Sequence, residues 1–427
     1  MAKRLSGYLI LAMWLLNLVA LYVGISQWPA GICSWLACLL TLPFLAGAAR
    51  RQAMALYGAA LLLGLFAFSQ GAPIKPAEWL LPNINMLTMF AAVSTLNLAT
   101  AGLGGGSGNW QGRKGVWSTM ASLNLLGAVI NLSIIFIVGD RLERQGTLER
   151  RQVMVLSRLF NAAAMWSPFF VAMAVAVTYS PGLQLSVIMP FGLMGVLAAM
   201  VITAWQVERL GSDGFCGFPL QRQALTLPIA LAVAVLAVKQ LWPALPILAV
   251  ISLMAPILAL SFMPKKGCRD ALKRQLYERF PAIGGQLVLF LGAGLLAAGI
   301  NSALSVLDFG GHELPVFQHY GAIEASLALL LMLLVAIIGV HPIITISGLA
   351  PLVWPLHPDP NLLAMTFLFG WGIGTGTSPL SGSNLALSAR YNVGPGALLR
   401  WNLSYGVLIY LVACLLFTGY EWVYAKI

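Results

Sequence analysis

Charge is scarce in this sequence. Asp, Glu, Lys and Arg make up only 9% of its 427 residues, where an ordinary globular chain carries about 25%. So few charges cannot coat a folded body of this size, which excludes a soluble enzyme, a nucleic-acid binder and a disordered regulator. Cysteine is scarce too. Cys33, Cys38, Cys216, Cys268 and Cys414 are an odd set without framework spacing, so neither disulfides nor a zinc site are expected. What abounds is apolar. Hydrophobic residues reach 59% and the mean hydropathy is +0.87, arranged in runs of about 18 to 25 residues that can cross a bilayer as helices. The expected fold class is an all-α polytopic membrane protein.

The formal net charge of +11 suggests a nucleic-acid partner only until the charges are placed. Lys3, Arg4, Arg50, Arg51, Arg113, Lys114, Arg141, Arg150, Arg151, Arg158, Arg209, Lys265, Lys266, Arg279, Arg390 and Arg400 lie between or at the ends of apolar runs. They read as anchors on the cytoplasmic face. No nucleic acid is expected. The expected partners are the lipid bilayer and a small-molecule solute. The opening Met-Ala-Lys-Arg precedes an apolar run with no convincing small-residue cleavage site, so an uncleaved first helix is expected.

Full spans are expected near 7–26, 31–49, 52–70, 84–103, 159–180, 185–206, 223–240, 244–263, 282–303, 363–390 and 401–419, about 11 transmembrane helices. Two further apolar stretches, near 116–139 and 320–356, do not fit as single crossings and read as re-entrant hairpins. With both folded back and the N-terminus inside, only Lys75, Lys239 and Lys426 of the 24 Lys and Arg lie outside. Single crossings at both would instead carry the basic residues from Arg141 to Arg279 outside, against the positive-inside rule. This places the N-terminus in the cytoplasm and the C-terminus outside, in a bacterial inner membrane.

The chain also matches itself at an offset of about 211 to 214 residues. Trp28-Pro29-Ala30 corresponds to Trp242-Pro243-Ala244, Gly127 to Gly339, and Ser167-Pro168 to Ser378-Pro379. Two repeats are expected, 1–215 and 216–427. Each holds scaffold helices, a hairpin and a span that its proline breaks (159–180 and 363–390). The first half has one extra span, 52–70, so the second unit is inverted. This is the architecture of an inverted-repeat, elevator-type transporter. Unwound backbone at membrane depth is tolerated only against protein or a water-filled cavity, so the breaks mark the site.

The second break reads Gly374-Thr375-Gly376-Thr377-Ser378-Pro379-Leu380-Ser381-Gly382-Ser383-Asn384. Its glycine, hydroxyl and amide groups offer free N–H groups for an anion and oxygens for an alkali cation. A helix-packing seam of small residues is the bland alternative. Substrate-binding candidates here are Thr375, Thr377, Ser378, Ser381, Ser383 and Asn384, with a sodium site near Gly374, Thr377 and Asn384 as the one ion considered. Asn161 and Ser167 are the candidates in the first break, Asn131 and Ser133 at the first hairpin tip, and His341 and Thr345 at the second. His341 and Glu324 are the intramembrane ionisable groups, and so the proton-coupling candidates. No Lys or Arg is expected at the midplane. No catalytic residue, resident metal or other cofactor is expected. His312, Glu313, His319, His357 and Asp359 read as solvated loop residues, residues 102–108 as a linker, and 140–158 and 268–280 as interfacial helices.

This arrangement resembles the ion-transporter superfamily, above all the divalent-anion/sodium symporters and the arsenical-pump permeases. The Gly/Thr/Pro-rich break stands at 374–384, while Ala128-Val129-Ile130 and Val340-His341-Pro342 stand where the symporters carry Ser-Asn-Thr tips. The resemblance implies an elevator mechanism and a dimeric scaffold. The expected function is secondary active transport of a small anionic solute, a carboxylate or oxyanion, coupled to sodium or protons. The rivals are a membrane-embedded enzyme of lipid-linked glycan metabolism, which would need charged exterior loops this chain lacks, and a passive channel.

Overall fold

A computed structural model describes residues 2–45, 47–99, 110–130, 132–143, 147–220, 226–265, 267–307 and 319–424. Nearly every described element is helical. Six helices are long and apolar enough to cross a membrane: Ala2–Val23, Ala49–Ser69, Pro76–Leu98, Leu185–Arg209, Gly284–Leu304 and Pro395–Tyr424. Shorter apolar helices include Thr226–Leu241, Ile247–Phe262, Ala322–Ile337 and Pro342–Leu356.

The chain divides into two compact units, and residues from both sides of position 215 enter each. The first comprises Met1–Ala101, Ala230–Gln318 and Ser347–Pro355. Its centre is the pairing of Gly47–Ser69 with Gly284–Leu304, where Gly292 faces Leu56 and Tyr57 and Gly299 faces Ala60. Residues this small let two helix backbones approach closely. A buried amide cluster fastens three elements: Asn17 Nδ2 donates to Thr88 Oγ1 at 2.9 Å and to Asn85 Oδ1 at 3.1 Å, and Gln27 Nε2 donates to Asn17 Oδ1 at 2.9 Å.

The second unit comprises Gly102–Ile229, His319–Ile346 and Leu356–Ile427. The first folded-back stretch is a helix pair, Gly112–Ile130 and Ser133–Glu143. A two-residue antiparallel ribbon stands before it, with Trp110 opposite Gly217 and Gln111 opposite Cys216. The second stretch is two successive helices, Ala322–Ile337 and Pro342–Val353, and residues Ser347–Pro355 belong to the first unit.

Both spans expected to break at Ser-Pro are interrupted, whereas Pro190 and Pro256 lie inside continuous helices. Arg150–Ala162 continues as a tight turn to Met165, loses helical form over 166–170, and resumes as Val171–Tyr179. Pro360–Thr377 stops at Ser378 and resumes as Gly382–Tyr391. Asp359 sits at the start of the second of these, where Oδ1 accepts from Asn361 N (2.8 Å) and Leu362 N (3.0 Å). It caps that helix from the exposed loop before it, where the sequence placed it.

One boundary differs from expectation. The charged stretch ending at Arg158 is not interfacial: Arg150–Ala162 is one helix, buried from Gln152 to Ala162. Its polar side chains find partners inside the protein, so amphipathic composition does not bring it to the surface.

Packing between these helices rests on glycine. A methyl group at Gly192 would collide with the backbone carbonyl of Met165, which cannot swing aside, whereas nothing lies within 4 Å of one at Gly419. Gly192→Ala should therefore lower stability in detergent by about 1–3 kcal/mol. Gly419→Ala should raise it by about 0.5–1 kcal/mol, because helical glycine carries excess unfolded-state entropy. Denaturation curves of the two variants check both signs.

Candidate functional site

A helix that stops inside a protein leaves its last carbonyls without i+4 donors. At the end of Pro360–Thr377 side chains supply those donors, and Asn384 reaches three of the carbonyls. Asn384 Nδ2 points at Ser378 O (2.8 Å), Gly376 O (3.2 Å) and Thr375 O (3.3 Å). Ser381 Oγ donates to Thr375 O at 2.7 Å and accepts from Asn384 N at 3.3 Å, so it closes the first helical segment and caps the next. Asn384 itself is held from outside the break: Ser157 Oγ donates to its Oδ1 at 2.7 Å.

The contact extends to the first interrupted helix. Asn161 Nδ2 reaches Ser383 Oγ at 3.1 Å, and Ser383 Oγ stands 3.2 Å from Asn161 Oδ1. Gly376 faces Asn161 here, with room for a Cβ at an ordinary contact distance of 3.6 Å. The ladder ends on Pro395–Tyr424, where Asn402 Nδ2 donates to Gly376 O at 3.1 Å and to Ser157 Oγ at 3.3 Å. Ser157, Asn161, Ser381, Ser383, Asn384 and Asn402 are all buried.

A cation lies against this network. Arg158 is fully buried; its Nε donates to Asn402 Oδ1 at 2.8 Å, its Nη2 to Trp401 O at 2.6 Å, and its Cζ sits 4.7 Å from the centre of the Tyr405 ring. All these acceptors are neutral. Arg158 Nη1 has no hydrogen-bond partner, and neither does the Tyr405 hydroxyl. Arg158, expected as an anchor at the end of an apolar run, is thus enclosed by protein instead.

The remaining candidates are dispersed. Thr375 and Thr377 turn their hydroxyls onto Trp371 O and Ile373 O of their own helix (2.7 and 2.8 Å), though Thr375 contributes its carbonyl to the network. Ser378 Oγ accepts from Leu380 N at 3.3 Å. Ser167 Oγ donates to Ala128 O at 2.6 Å, which ties the first break to the first hairpin. At the second, Gly339 (φ 96) leaves no room for a Cβ beside Leu380 of the other break. His341 stands edge-on to Trp371, ring centres 5.1 Å apart, and its Nδ1 accepts from Ile343 N at 3.3 Å.

Thr345 Oγ1 bonds Pro342 O within its own turn, and Ser133 is half-buried at the start of the second arm. Asn131 lies outside the described residues. Glu324 does not approach His341: its Oε2 accepts from Gly321 N at the far end of Ala322–Ile337, about 24 Å of helix away. It is a helix-start acceptor. Near the end of Gly382–Tyr391, Arg390 grips Asp140 through two 2.7 Å bonds and Tyr391 donates to the same carboxylate at 2.7 Å, fastening the first hairpin to the second interrupted helix.

Sequence reasoning missed Ser157, Arg158 and Asn402. The first two precede Asn161 by four and three positions and so share its helix face. Asn402 sits in the buried row Leu398, Asn402, Tyr405, Ile409 of an apolar helix, where a lone amide is a legible anomaly.

No family model and no curated protein sequence matches the chain. A solved structure shares its fold: the Alcanivorax borkumensis YdaH transporter, described as having an unusual topology, aligns with a TM-score of 0.51 and 15% identity over 92% of this chain and 98% of its own. At that identity the likeness establishes the fold. With the six apolar spans, it makes the chain a multi-pass membrane protein.

Asn384→Ala removes the side-chain donor of Ser378 O and leaves Thr375 O to Ser381 and Gly376 O to Asn402, so unfolding in detergent should become easier by about 1–3 kcal/mol. Asn384→Asp, which sets a carboxylate against the same oxygens, should cost more. Equal stability of all three proteins would show that the break is not held this way.

Proposed function

We propose that the chain is a secondary active transporter for a small anionic solute, a carboxylate or oxyanion. The observation that carries this is a buried cation with no ion pair to a carboxylate among the described residues, Arg158, set against the network that joins two interrupted helices. Broken helices inside a membrane protein are tolerated around a binding cavity. An unneutralised guanidinium in low dielectric costs several kcal/mol, which a bound anion offsets. The fold shared with a solved transporter supports the same reading.

In this proposal Arg158 Nη1, Asn161, Ser383 and the first N–H groups of Gly382–Tyr391 meet the anion as the unit opens. Two inverted repeats, 1–215 and 216–427, move the hairpins and broken helices as one body against the scaffold. Parallel contacts support the repeat: Ser167 meets Ala128 in one half, and Leu380 meets Gly339 in the other. The wider assignment, to the ion-transporter superfamily as a homodimer in the bacterial inner membrane with a cytoplasmic N-terminus and an exterior C-terminus, rests on the resemblance and on the positive-inside count.

Coupling is assigned to sodium or protons. Asn384 Nδ2 occupies carbonyls that a sodium ion near Gly374, Thr377 and Asn384 would need, so sodium binding there requires this amide to turn away. His341 is the remaining proton candidate, because Glu324 is spent at a helix start. A glycan-processing enzyme or a passive channel would not require a neutral ladder ending on a buried cation.

The test is a thermal-shift screen of the purified chain with carboxylates and oxyanions, with and without sodium, at two pH values. A ligand at 100 times its Kd stabilises by about 2.7 kcal/mol, so a clear upward shift is expected with at least one anion. Arg158→Gln should abolish that shift while remaining folded. Stabilisation by neutral or cationic solutes alone, or an undiminished shift in the variant, would overturn the proposal.

A further inference from the structure

The second unit holds a cavity of about 610 Å³ that none of the network residues lines. It lies at one end of three helices, where Arg150 begins Arg150–Ala162, Arg209 ends Leu185–Arg209 and Trp401 stands in the second turn of Pro395–Tyr424. Each arginine is braced by an indole in the cavity wall. Arg150 Cζ is 5.6 Å from the centre of the Trp401 ring, and Arg209 Cζ is 3.9 Å from that of Trp205. Cation–π contact of this kind aims a guanidinium without neutralising it.

No described carboxylate neutralises either one. The acids beside them in sequence are engaged elsewhere: Glu149 with Arg151, and Glu208 with Arg113 at 2.9 Å. Two cations lining one pocket without a described carboxylate partner make a site for an anionic group with more than one oxygen.

The rest of the wall is apolar and continues along the protein's exterior. On Leu185–Arg209, Met194, Leu197, Val201 and Trp205 are 51%, 61%, 59% and 44% exposed. On Pro395–Tyr424, Leu403, Val407, Leu411 and Leu415 are 48%, 53%, 52% and 73% exposed. Successive members are three or four residues apart, so each set is one face of its helix. In a membrane protein those faces meet acyl chains, and both lead into the cavity. A ligand suited to it has an anionic head and an apolar tail lying along the two stripes.

We propose that this cavity binds an anionic phospholipid, its phosphate between Arg150 and Arg209 and its chains along the two outward-facing rows. Under the topology proposed above, the site lies in the cytoplasmic leaflet, where basic pockets between helices collect such lipids. The bound lipid braces the same helix pair that carries Arg158 and Asn402, since the Trp401 carbonyl accepts Arg158 Nη2. It therefore stabilises the network from outside.

The test combines native mass spectrometry with thermal shift on the full chain in detergent. The probes are phosphatidylglycerol, phosphatidylcholine and soluble glycerol phosphate. Phosphatidylglycerol should be retained and raise the melting temperature, while the other two should do neither. Arg150→Gln/Arg209→Gln should reduce its retention about tenfold. If that double variant does not fold, Arg209→Gln alone should give a smaller loss in the same direction. Equal retention of the two lipids, a full shift from glycerol phosphate alone, or undiminished retention by the variants would overturn the assignment.

Discussion

A backbone that ends inside a protein must be given hydrogen-bond partners there, and in this chain that requirement is met chiefly by Asn384. Its amide nitrogen serves the carbonyls of Thr375, Gly376 and Ser378, and its amide oxygen receives Ser157. Pro360–Thr377 can stop where it does because these groups are present. Stopping there sets Gly376 against Asn161 and brings Asn402 within reach of the same carbonyl. The interruption, the close approach of the helices and the polar ladder thus follow from one constraint, an unpaired carbonyl in a medium without water.

Arg158 stands at the other end of that ladder and has a different character. Its acceptors are an amide oxygen and a backbone carbonyl, and its plane lies over Tyr405. Guanidinium suits such a place better than ammonium, because its charge is spread and its donors form a rigid fork. Neutral acceptors orient it without cancelling the charge. Positive potential is consequently fixed in the interior of a unit whose other buried polar groups are hydroxyls and amides. For the proposed transport function, this asymmetry favours an anion over a sodium ion at the break.

Much of this was legible in the residues. Prolines 168 and 379 forecast interruptions, and helix ends flank both, at 166–170 and 378–381. The two apolar stretches of unsuitable length each divide into two helices, and the hydroxyl-rich run brought Ser381, Ser383 and Asn384 together with Asn161. The misreadings share a cause. Ser157 and Arg158 lie in a charged segment whose composition suits a membrane surface, and only tertiary partners reveal it as buried. Glu324 looked ionisable at depth, yet it serves a backbone N–H at a helix start. Thr377 and Thr345 spend their hydroxyls locally, which hydroxyl side chains in apolar helices readily do.

The central claim is that the junction of Asn161 with Ser383, buried in this conformation, is the point a solute reaches from either side of the membrane. Ser383→Cys, made in a chain whose own cysteines have been replaced, places a reactive thiol there. The direct measurement is its modification in oriented vesicles by membrane-impermeant thiol reagents, applied to each face in turn. Alternating access predicts modification from both faces, slowed by a solute that binds. A thiol that stays unreactive from both faces under every condition would contradict the account.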